Sequence, residues 1–134
     1  MSDKVIILMI GLPRSGKSTW AKKQGLPIVE MDSIRLALHG ERYLELAEPM
    51  VWAIAPIMVR ALLLAGNNKI IIDGTHVTEK RRQFWAKKFP DVRMEYSYIA
   101  TPESECLKRA EGMNDDVIIP VIKRMAAQME IPDD

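Results

Sequence analysis

Eight consecutive residues near the beginning of the sequence have the types and spacing needed to hold a chain of phosphates. They read Gly11-Leu12-Pro13-Arg14-Ser15-Gly16-Lys17-Ser18 and match the pattern G-x-x-x-x-G-K-[ST] at every fixed position. In this pattern the glycines let the backbone turn back on itself, so that several N–H groups point into one concavity at the positive end of a helix. Lys17 supplies a positive charge for the β- and γ-phosphates, and Ser18 offers a hydroxyl to Mg²⁺. We therefore expect the stretch from Gly11 to Thr19 to bind a nucleoside triphosphate.

The pattern is meaningful only where it follows a strand and opens a helix. Residues 4–10 are an apolar run rich in β-branched side chains, as expected of a strand that is buried on both faces. Residues 18–24 contain no helix breaker, and Gly25 and Pro27 end the helix that they predict. Both conditions are met, which leaves a chance glycine turn as the weaker interpretation.

A carboxylate and an arginine follow the second predicted strand, residues 26–31. Asp32 is a natural helix N-cap, which is its simplest interpretation. Ligands of an open α/β sheet lie outside the carboxyl ends of its strands, and we expect this strand to neighbour the first one. Asp32 is therefore also a candidate general base for an attacking hydroxyl. Arg35 shares its helix face and is either a ligand of a substrate phosphate or a surface ion-pair partner.

The third predicted strand, residues 69–76, carries the next candidate. An apolar run ending in Asp73 is typical of a Walker B segment, whose carboxylate holds Mg²⁺ directly or through water. The alternative is that Asp73 only begins a turn with Gly74. Thr75 and His76 are expected to lead into the same cleft, and we assign no chemistry to His76.

A cationic helix is predicted over residues 79–88, with Thr78 as its N-cap. Its positive side chains are Lys80, Arg81, Arg82, Lys87 and Lys88. Charge runs on helices are usually only solvated. The alternative interpretation is that a phosphate-rich polymer binds near the N-terminus of this helix.

The last part of the chain predicts a helix, a short polar segment and a second helix. Thr101 is expected to be the N-cap and Pro102 the first residue of a helix that reaches about Ala110, and residues 117–129 predict the closing helix. We expect the segment around residues 102–120 to form a helical lid over the phosphates. Arg109 would reach the transferring phosphoryl group from this lid, or else it is a cation favoured by the C-terminus of its helix.

Length and composition exclude several classes of protein. The 134 residues predict one domain, residues 1–134, and a net charge of +1 excludes a general basic field for nucleic acid. The single cysteine, Cys106, excludes an internal disulfide and a cysteine-based zinc site, and favours a reduced, cytoplasmic compartment. We expect no signal peptide, because the N-terminus leads directly into the first strand. We expect no membrane partner, because the longest apolar run, residues 51–65, contains Pro56 and Arg60 and is too short to span a bilayer.

The order of the predicted elements indicates the fold class. Strands and helices alternate through most of the chain, and the first strand leads into the phosphate-binding loop. This order predicts an α/β fold with three layers, α/β/α, of the P-loop NTPase type, around a mostly parallel sheet of four to five strands.

Four segments, in order and spacing, resemble the bacteriophage-type polynucleotide 5′-kinase domain, a member of the P-loop kinase superfamily among the AAA-type P-loop kinases. They are GLPRSGKSTWAKK, MDSIR, IIIDGTHVTEKRRQFW and PESECLKR, and the resemblance covers nearly the full chain. It implies a kinase that uses ATP and Mg²⁺ to phosphorylate the 5′-hydroxyl of DNA or RNA, in the cytoplasm of a bacterium or of a phage-infected host.

The resemblance also implies roles for individual residues. The implied catalytic residues are Lys17, Asp32 as general base, and Arg109 in the lid. Arg35 would hold the phosphate next to the substrate hydroxyl, and Thr75 would touch the nucleic acid. We expect Arg82, from the T-x-x-x-x-x-R-R pattern, to contribute to substrate binding. Ser18 and Asp73 remain the expected metal ligands.

Two other functions stay open at the level of sequence. One is a small-molecule kinase on the same fold, acting on a nucleoside, sugar or antibiotic hydroxyl, and the near-neutral net charge favours it slightly, whereas Thr75 and the Arg-Arg helix favour a polymer. The other is a nucleotide-binding protein without turnover. Its support lies in the lid, where the family usually has a second arginine and this chain has Glu111, Gly112 and Met113.

Overall fold

A computed structural model describes residues 3–132 of the chain. Within that range the strands are β1 (Val5–Ile10), β2 (Ile28–Glu30), β3 (Lys69–Asp73) and β4 (Arg93–Tyr98). The α-helices are α1 (Lys17–Lys23), α2 (Met31–His39), α3 (Glu48–Leu64), α4 (Glu79–Lys88), α5 (Glu103–Gly112) and α6 (Ile118–Gln128). One turn of 3₁₀ helix, Glu45–Ala47, leads directly into α3.

The described strands form one sheet in the order β2-β3-β1-β4, and every neighbouring pair is parallel. The prediction that β2 would neighbour β1 is wrong, because β3 lies between them. The physical reason is burial: Ile70, Ile71 and Ile72 of β3 are fully buried, which suits a central strand. β2 has only three residues and two of them are half-buried, which suits a short strand at an edge of the sheet.

Helices cover both faces of this sheet, which confirms the three-layer α/β fold. Alternate strand residues point to opposite faces, and the apolar core is divided accordingly. One face packs against α2, α3 and α4 through residues that include Ile6, Leu8, Ile70, Ile72 and Trp85. The other face packs against α1 through residues that include Val5, Ile7, Met9, Ile71 and Ala21. A third cluster joins α5 and α6, the helices of the predicted lid, to the loops above the sheet through Leu12, Val77, Cys106, Ala110 and Ile122.

Helix α3 and its 3₁₀ turn are longer than the apolar run on which the sequence interpretation was based. The segment Glu45–Leu64 has 20 residues and contains an 18-residue window with a mean hydropathy of 1.5. By length and composition alone, it is long and apolar enough to cross a membrane. One face of α3, at Val51, Ala55, Val59 and Leu63, is buried against the sheet. This face packs as a core helix does, but only 22% of the 18-residue window with the highest hydropathy is buried. The outer face of the segment is largely apolar and exposed.

Two of the predicted helix starts are shifted. Glu30, not Asp32, is the N-cap of α2, and Asp32 lies in the first turn of the helix. Pro102 is the N-cap of α5, while the hydroxyl of Thr101 donates to the backbone oxygen of Ser15 at 2.7 Å. The prediction for Thr78 is confirmed, because its hydroxyl accepts a hydrogen bond from the Arg81 N–H at the start of α4.

Candidate active site

The predicted phosphate-binding loop connects β1 to α1, and its backbone adopts the positive φ angles that glycine permits. Gly16 has a φ of 103° and Arg14 a φ of 67°, so both lie in the left-handed region. A Cβ atom on Gly11 would lie 2.8 Å from the Ser15 hydroxyl oxygen and 3.1 Å from the Ile99 carbonyl oxygen. A side chain at Gly11 would force the Ser15 hydroxyl and the Ile99 carbonyl group to move, so the loop is as tight as the motif predicts.

Lys17 lies inside this loop. Its ammonium group donates to the Leu12 carbonyl oxygen at 2.8 Å, and the side chain is almost fully buried. Burial lowers the pKa of Lys17, and the charges of Asp73 and Asp32 oppose that effect. The cation is thus held beneath the loop within the field of two site carboxylates.

The P-loop helix and the end of β3 meet at Ser18 and Asp73. The Ser18 hydroxyl donates to Asp73 Oδ2 at 2.8 Å and lies 3.5 Å from Glu30 Oε2. Asp73 is buried, and burial raises its pKa. A hydroxyl beside two carboxylates is the oxygen donor set that Mg²⁺ prefers, so the residues fit the expected metal.

Sequence reasoning missed Glu30 as a member of this group. Glu30 ends β2 and is the register partner of Asp73 on β3. Its second carboxylate oxygen accepts a short hydrogen bond from Ser33, which fixes the side chain beside Ser18. No local pattern marks Glu30, because its importance depends on β2 lying next to β3 rather than β1.

Asp32 and Arg35 are paired in α2, as expected from their positions on one face of the helix. Arg35 Nη1 donates to Asp32 Oδ1 at 2.8 Å, and 65% of the Asp32 side chain is exposed. Arg35 also makes a two-pronged bond to Glu48 at the start of α3, with both N–O distances at 2.8 Å. Glu48 therefore neutralises the charge of Arg35 and fixes the plane of its guanidinium group.

Glu48 connects this pair to α4. Its carboxylate accepts a hydrogen bond from Trp52 Nε1 at 3.3 Å, and the guanidinium carbon of Arg81 lies 4.4 Å from the centre of the Trp52 ring. Burial alone would raise the pKa of Glu48, but the hydrogen bonds from Arg35 and Trp52 and the charges of Arg35 and Arg81 lower it overall. Glu48 is therefore charged and lies between two arginines. We name Asp32, Arg35, Glu48, Trp52 and Arg81 the arginine corner.

The loop after β3 joins the P-loop through Thr75 and His76. The Thr75 carbonyl oxygen accepts from Gly11 N at 3.0 Å, so the two loops are tied together. His76 does not reach into the cleft, because it is 3% exposed and lies beneath it. Its Nδ1 bonds to the Met9 carbonyl oxygen at 2.8 Å, and its Nε2 accepts from Trp85 Nε1 at 3.0 Å. The proton of the neutral ring is therefore on Nδ1, and burial lowers the pKa of His76 to about 4.

The expectation that Arg82 binds substrate is wrong. Its side chain is 3% exposed, and its guanidinium group donates to the carbonyl oxygens of His76, Val77 and Glu130. Arg82 therefore holds the β3–α4 loop against the C-terminal end of the described chain. In the Arg-Arg pair, it is Arg81 whose side chain is exposed.

The lid helices lie over the P-loop. Arg109 Nη1 donates to the Arg14 carbonyl oxygen at 3.0 Å and Nε donates to Glu105 at 3.3 Å, while 44% of the Arg109 side chain stays exposed. The helix, polar turn and helix expected around residues 102–120 are present as α5, residues 113–117 and the start of α6. An open cavity of about 460 Å³ lies between lid and loop, lined by Arg14, Gly16, Lys17, Ser18, Thr19, Arg109, Gly112 and Met113.

Asp115, in the turn between α5 and α6, is the second residue after Glu30 that sequence reasoning missed. Its carboxylate accepts from Arg14 of the P-loop at 2.7 Å and makes a two-pronged bond to Arg42 at 2.8 Å. These hydrogen bonds, first that of Arg42 and then that of Arg14, lower the pKa of Asp115. Asp115 therefore ties the lid to the P-loop and to the segment between α2 and α3.

Most of the predicted site residues lie at the carboxyl edge of the sheet. Lys17, Ser18 and Asp73 are in direct or Coulombic contact, and Asp32 lies within the same field. Arg109 contacts the P-loop backbone, Thr75 bonds to it, and Arg35 contacts Asp32. Arg82 is buried beneath this edge, where it donates to the backbone of the β3–α4 loop.

Known structures share this fold. A chain in the structure of the Pnkp1/Rnl/Hen1 RNA repair complex matches with a TM-score of 0.80 and 20% identity over 96% of this chain and 44% of that chain. A gluconokinase from Sinorhizobium meliloti matches with a TM-score of 0.66 and 17% identity, over 98% of this chain and 78% of the other. The Mycobacterium tuberculosis APS kinase CysC, in complex with AMPPNP and APS, matches with a TM-score of 0.69 and 16% identity, over 100% of this chain and 86% of that chain.

The chain spans less than half of the length of the first of these relatives, so the likeness covers one part of that protein. Residues 6–132 match the family described as "AAA domain". That match extends from β1 to beyond α6 and includes the loop, both carboxylate-bearing strand ends and the lid. The chain belongs to this AAA domain family and has the fold of a P-loop kinase.

Proposed function

We propose that this domain is an ATP-dependent kinase whose acceptor is the 5′-hydroxyl of a DNA or RNA end. The observation that carries the proposal is the Asp32–Arg35 pair, joined at 2.8 Å beside the P-loop with the Asp32 carboxylate open to solvent. A general base must be within reach of the hydroxyl that it deprotonates, and an exposed carboxylate at the carboxyl edge of the sheet meets that condition.

The hypothesised reaction is one in-line displacement. The acceptor oxygen forms a bond to the γ-phosphorus while the bond from that phosphorus to the β–γ bridging oxygen breaks, and ADP leaves. Arg35 donates to Oδ1 of Asp32, and within the described residues Oδ2 accepts no hydrogen bond, so Oδ2 takes the hydroxyl proton. Lys17 and Arg109 supply positive charge on either side of the loop.

A bound Mg²⁺ would supply positive charge that neutralises the phosphates. Ser18 and Asp73 are the residues that would hold it, with Glu30 adjacent. The APS kinase structure that shares this fold contains AMPPNP, which supports ATP as the donor.

A small-molecule kinase is the second candidate, and one observation favours it. Arg35 is paired with both Glu48 and Asp32, and its side chain is only 15% exposed. An arginine that is already neutralised attracts an acceptor phosphate less strongly than a free one, which favours an uncharged acceptor such as a sugar or nucleoside.

The deciding experiment measures ATP consumption and phosphate transfer with a panel of 5′-hydroxyl oligonucleotides, nucleosides and sugars. Transfer to the oligonucleotides, with binding that weakens steeply as salt rises, supports the first proposal. Transfer to sugars or nucleosides alone, without a salt slope, supports the second. ATP binding without transfer to any acceptor contradicts both and indicates a nucleotide-binding protein without turnover.

A further inference from the structure

The arginine corner contains one arginine that no described carboxylate neutralises at short range. Arg35 is bound by Glu48 and Asp32, and Arg82 is buried against backbone carbonyls. Arg81 is exposed, and the contact of its guanidinium group within residues 3–132 is the face of the Trp52 ring at 4.4 Å. The outward side of that group is therefore open to an anion.

The charge of the corner depends on Arg81. Among the five residues of the corner, Asp32 and Glu48 are two carboxylates against the cation of Arg35, so without Arg81 these residues carry a net negative charge. Lys17 and Arg42 also act on Asp32, but from the P-loop and from the segment between α2 and α3. A net negative corner repels a phosphate group on an acceptor as it approaches Asp32. With Arg81 the corner is neutral, and the charge of Arg81 acts on Glu48.

Arg81 is also held in place before any ligand arrives. A guanidinium group stacked on an indole ring loses less conformational freedom on binding than a free arginine does. Trp52 is fixed in turn by its hydrogen bond to Glu48 and by an edge-to-face contact with Phe84, whose ring centre lies 5.1 Å from that of Trp52. Arg81 lies in the first turn of α4, where the helix dipole adds positive potential.

We propose that Arg81 binds a phosphate group of the acceptor that is separate from the reacting hydroxyl, and so selects phosphate-bearing acceptors over uncharged ones. The proposal rests on the proposed kinase function of the same site. It assigns to Arg81 the acceptor contact that the sequence pattern suggested for Arg82. It also assigns Trp52 as a positioning residue that acts through Arg81.

The experiment compares two acceptors that differ by one phosphate, thymidine and thymidine 3′-monophosphate. Arg81→Ala should raise KM for the phosphate-bearing acceptor by roughly ten- to a hundredfold, the loss expected for a hydrogen bond to a charged group. KM for thymidine and KM for ATP should stay unchanged, and Arg81→Lys should recover part of the loss. The backbone N–H of residue 81 that bonds to Thr78 is kept in both variants, so the start of α4 is preserved.

Lys80→Ala is the matched control, since it removes the neighbouring exposed cation of the same helix. Equal losses in Lys80→Ala and Arg81→Ala would overturn the proposal, because general attraction to α4 would then explain them. Equal losses of both acceptors in Arg81→Ala would also overturn it and indicate a structural role. If the unaltered protein phosphorylates neither compound, the proposed function is decided with the 5′-hydroxyl oligonucleotides, and it fails if these are not phosphorylated either. Arg81 is then judged by equilibrium binding of thymidine 3′-monophosphate, where a loss confined to Arg81→Ala supports the inference and undiminished binding overturns it.

Discussion

The hydroxyl of Ser18, at the start of α1, lies 2.8 Å from the carboxylate of Asp73, at the end of β3. The two residues are 55 positions apart in the chain, and the parallel pairing of β1 with β3 brings them together. Two oxygen ligands suited to Mg²⁺ therefore lie side by side at the base of the phosphate loop.

Asp73→Asn should weaken metal binding to the nucleotide complex, because it replaces a charged ligand with a neutral one. We expect the apparent affinity for Mn²⁺, titrated with AMPPNP and followed by the electron paramagnetic resonance of free Mn²⁺, to fall roughly ten- to a hundredfold. Asp91→Asn is the control, since Asp91 is a carboxylate before β4, at the opposite edge of the sheet. An unchanged Mn²⁺ affinity in Asp73→Asn would remove Asp73 from the metal site.

Asp32→Asn should separate binding from chemistry. The amide keeps the size of the side chain and a partner for Arg35, but it cannot accept the hydroxyl proton. We expect kcat to fall by about 10²–10⁴-fold with KM for ATP almost unchanged. Lys17→Met should instead lower kcat/KM by several orders of magnitude, since it removes charge from the phosphates themselves. Near-normal transfer by Asp32→Asn, with intact ATP binding, would show that Asp32 is not the base.

Protonation of His76 should destabilise the protein below neutral pH. Burial lowers its pKa from 6.5 to about 4, so the unfolded chain binds a proton at a higher pH than the folded chain does. The stabilisation from neutral His76 is therefore complete above pH 6.5 and is lost as pH falls from 6.5 toward 4. The full effect is about 3 kcal/mol, and urea unfolding measured between these two pH values checks it.

His76→Asn tests the assignment of that pH dependence. Asparagine tolerates the positive φ of 42° at this position and has no group that titrates in the range. We expect the variant to be less stable at pH 7, because the hydrogen bonds to Met9 and Trp85 are altered. Its stability should change less between pH 6.5 and 4 than that of the unaltered protein. An identical slope in both proteins would assign the effect to other groups.

Local patterns could predict some parts of the site, and the pairing of distant segments decided the others. The P-loop and Asp73 follow from short runs of residues whose conformation depends on their immediate neighbours. The partner of Arg14, Asp115, is 101 residues away, and the contact exists only because α5 and α6 fold back over the loop. Arg81 and Arg82 are adjacent in sequence, and only the packing of α4 decides which one is buried. The order β2-β3-β1 likewise follows from β3 being more deeply buried than β2, and the strand patterns alone do not show which of the two is more buried.

Asp115→Asn should loosen the lid. Its carboxylate is 9% exposed and binds two arginines, so loss of its charge leaves Arg14 and Arg42 without a common anion. Both arginines are partly exposed and can turn to water, which keeps the cost modest, and we expect Tm to fall by roughly 5 °C. Asp116→Asn changes the next, exposed carboxylate and should leave Tm unaltered. Limited proteolysis within residues 113–117 should become faster in Asp115→Asn alone. Equal cleavage of both variants would mean that the ion pairs with Arg14 and Arg42 do not hold the lid against the P-loop.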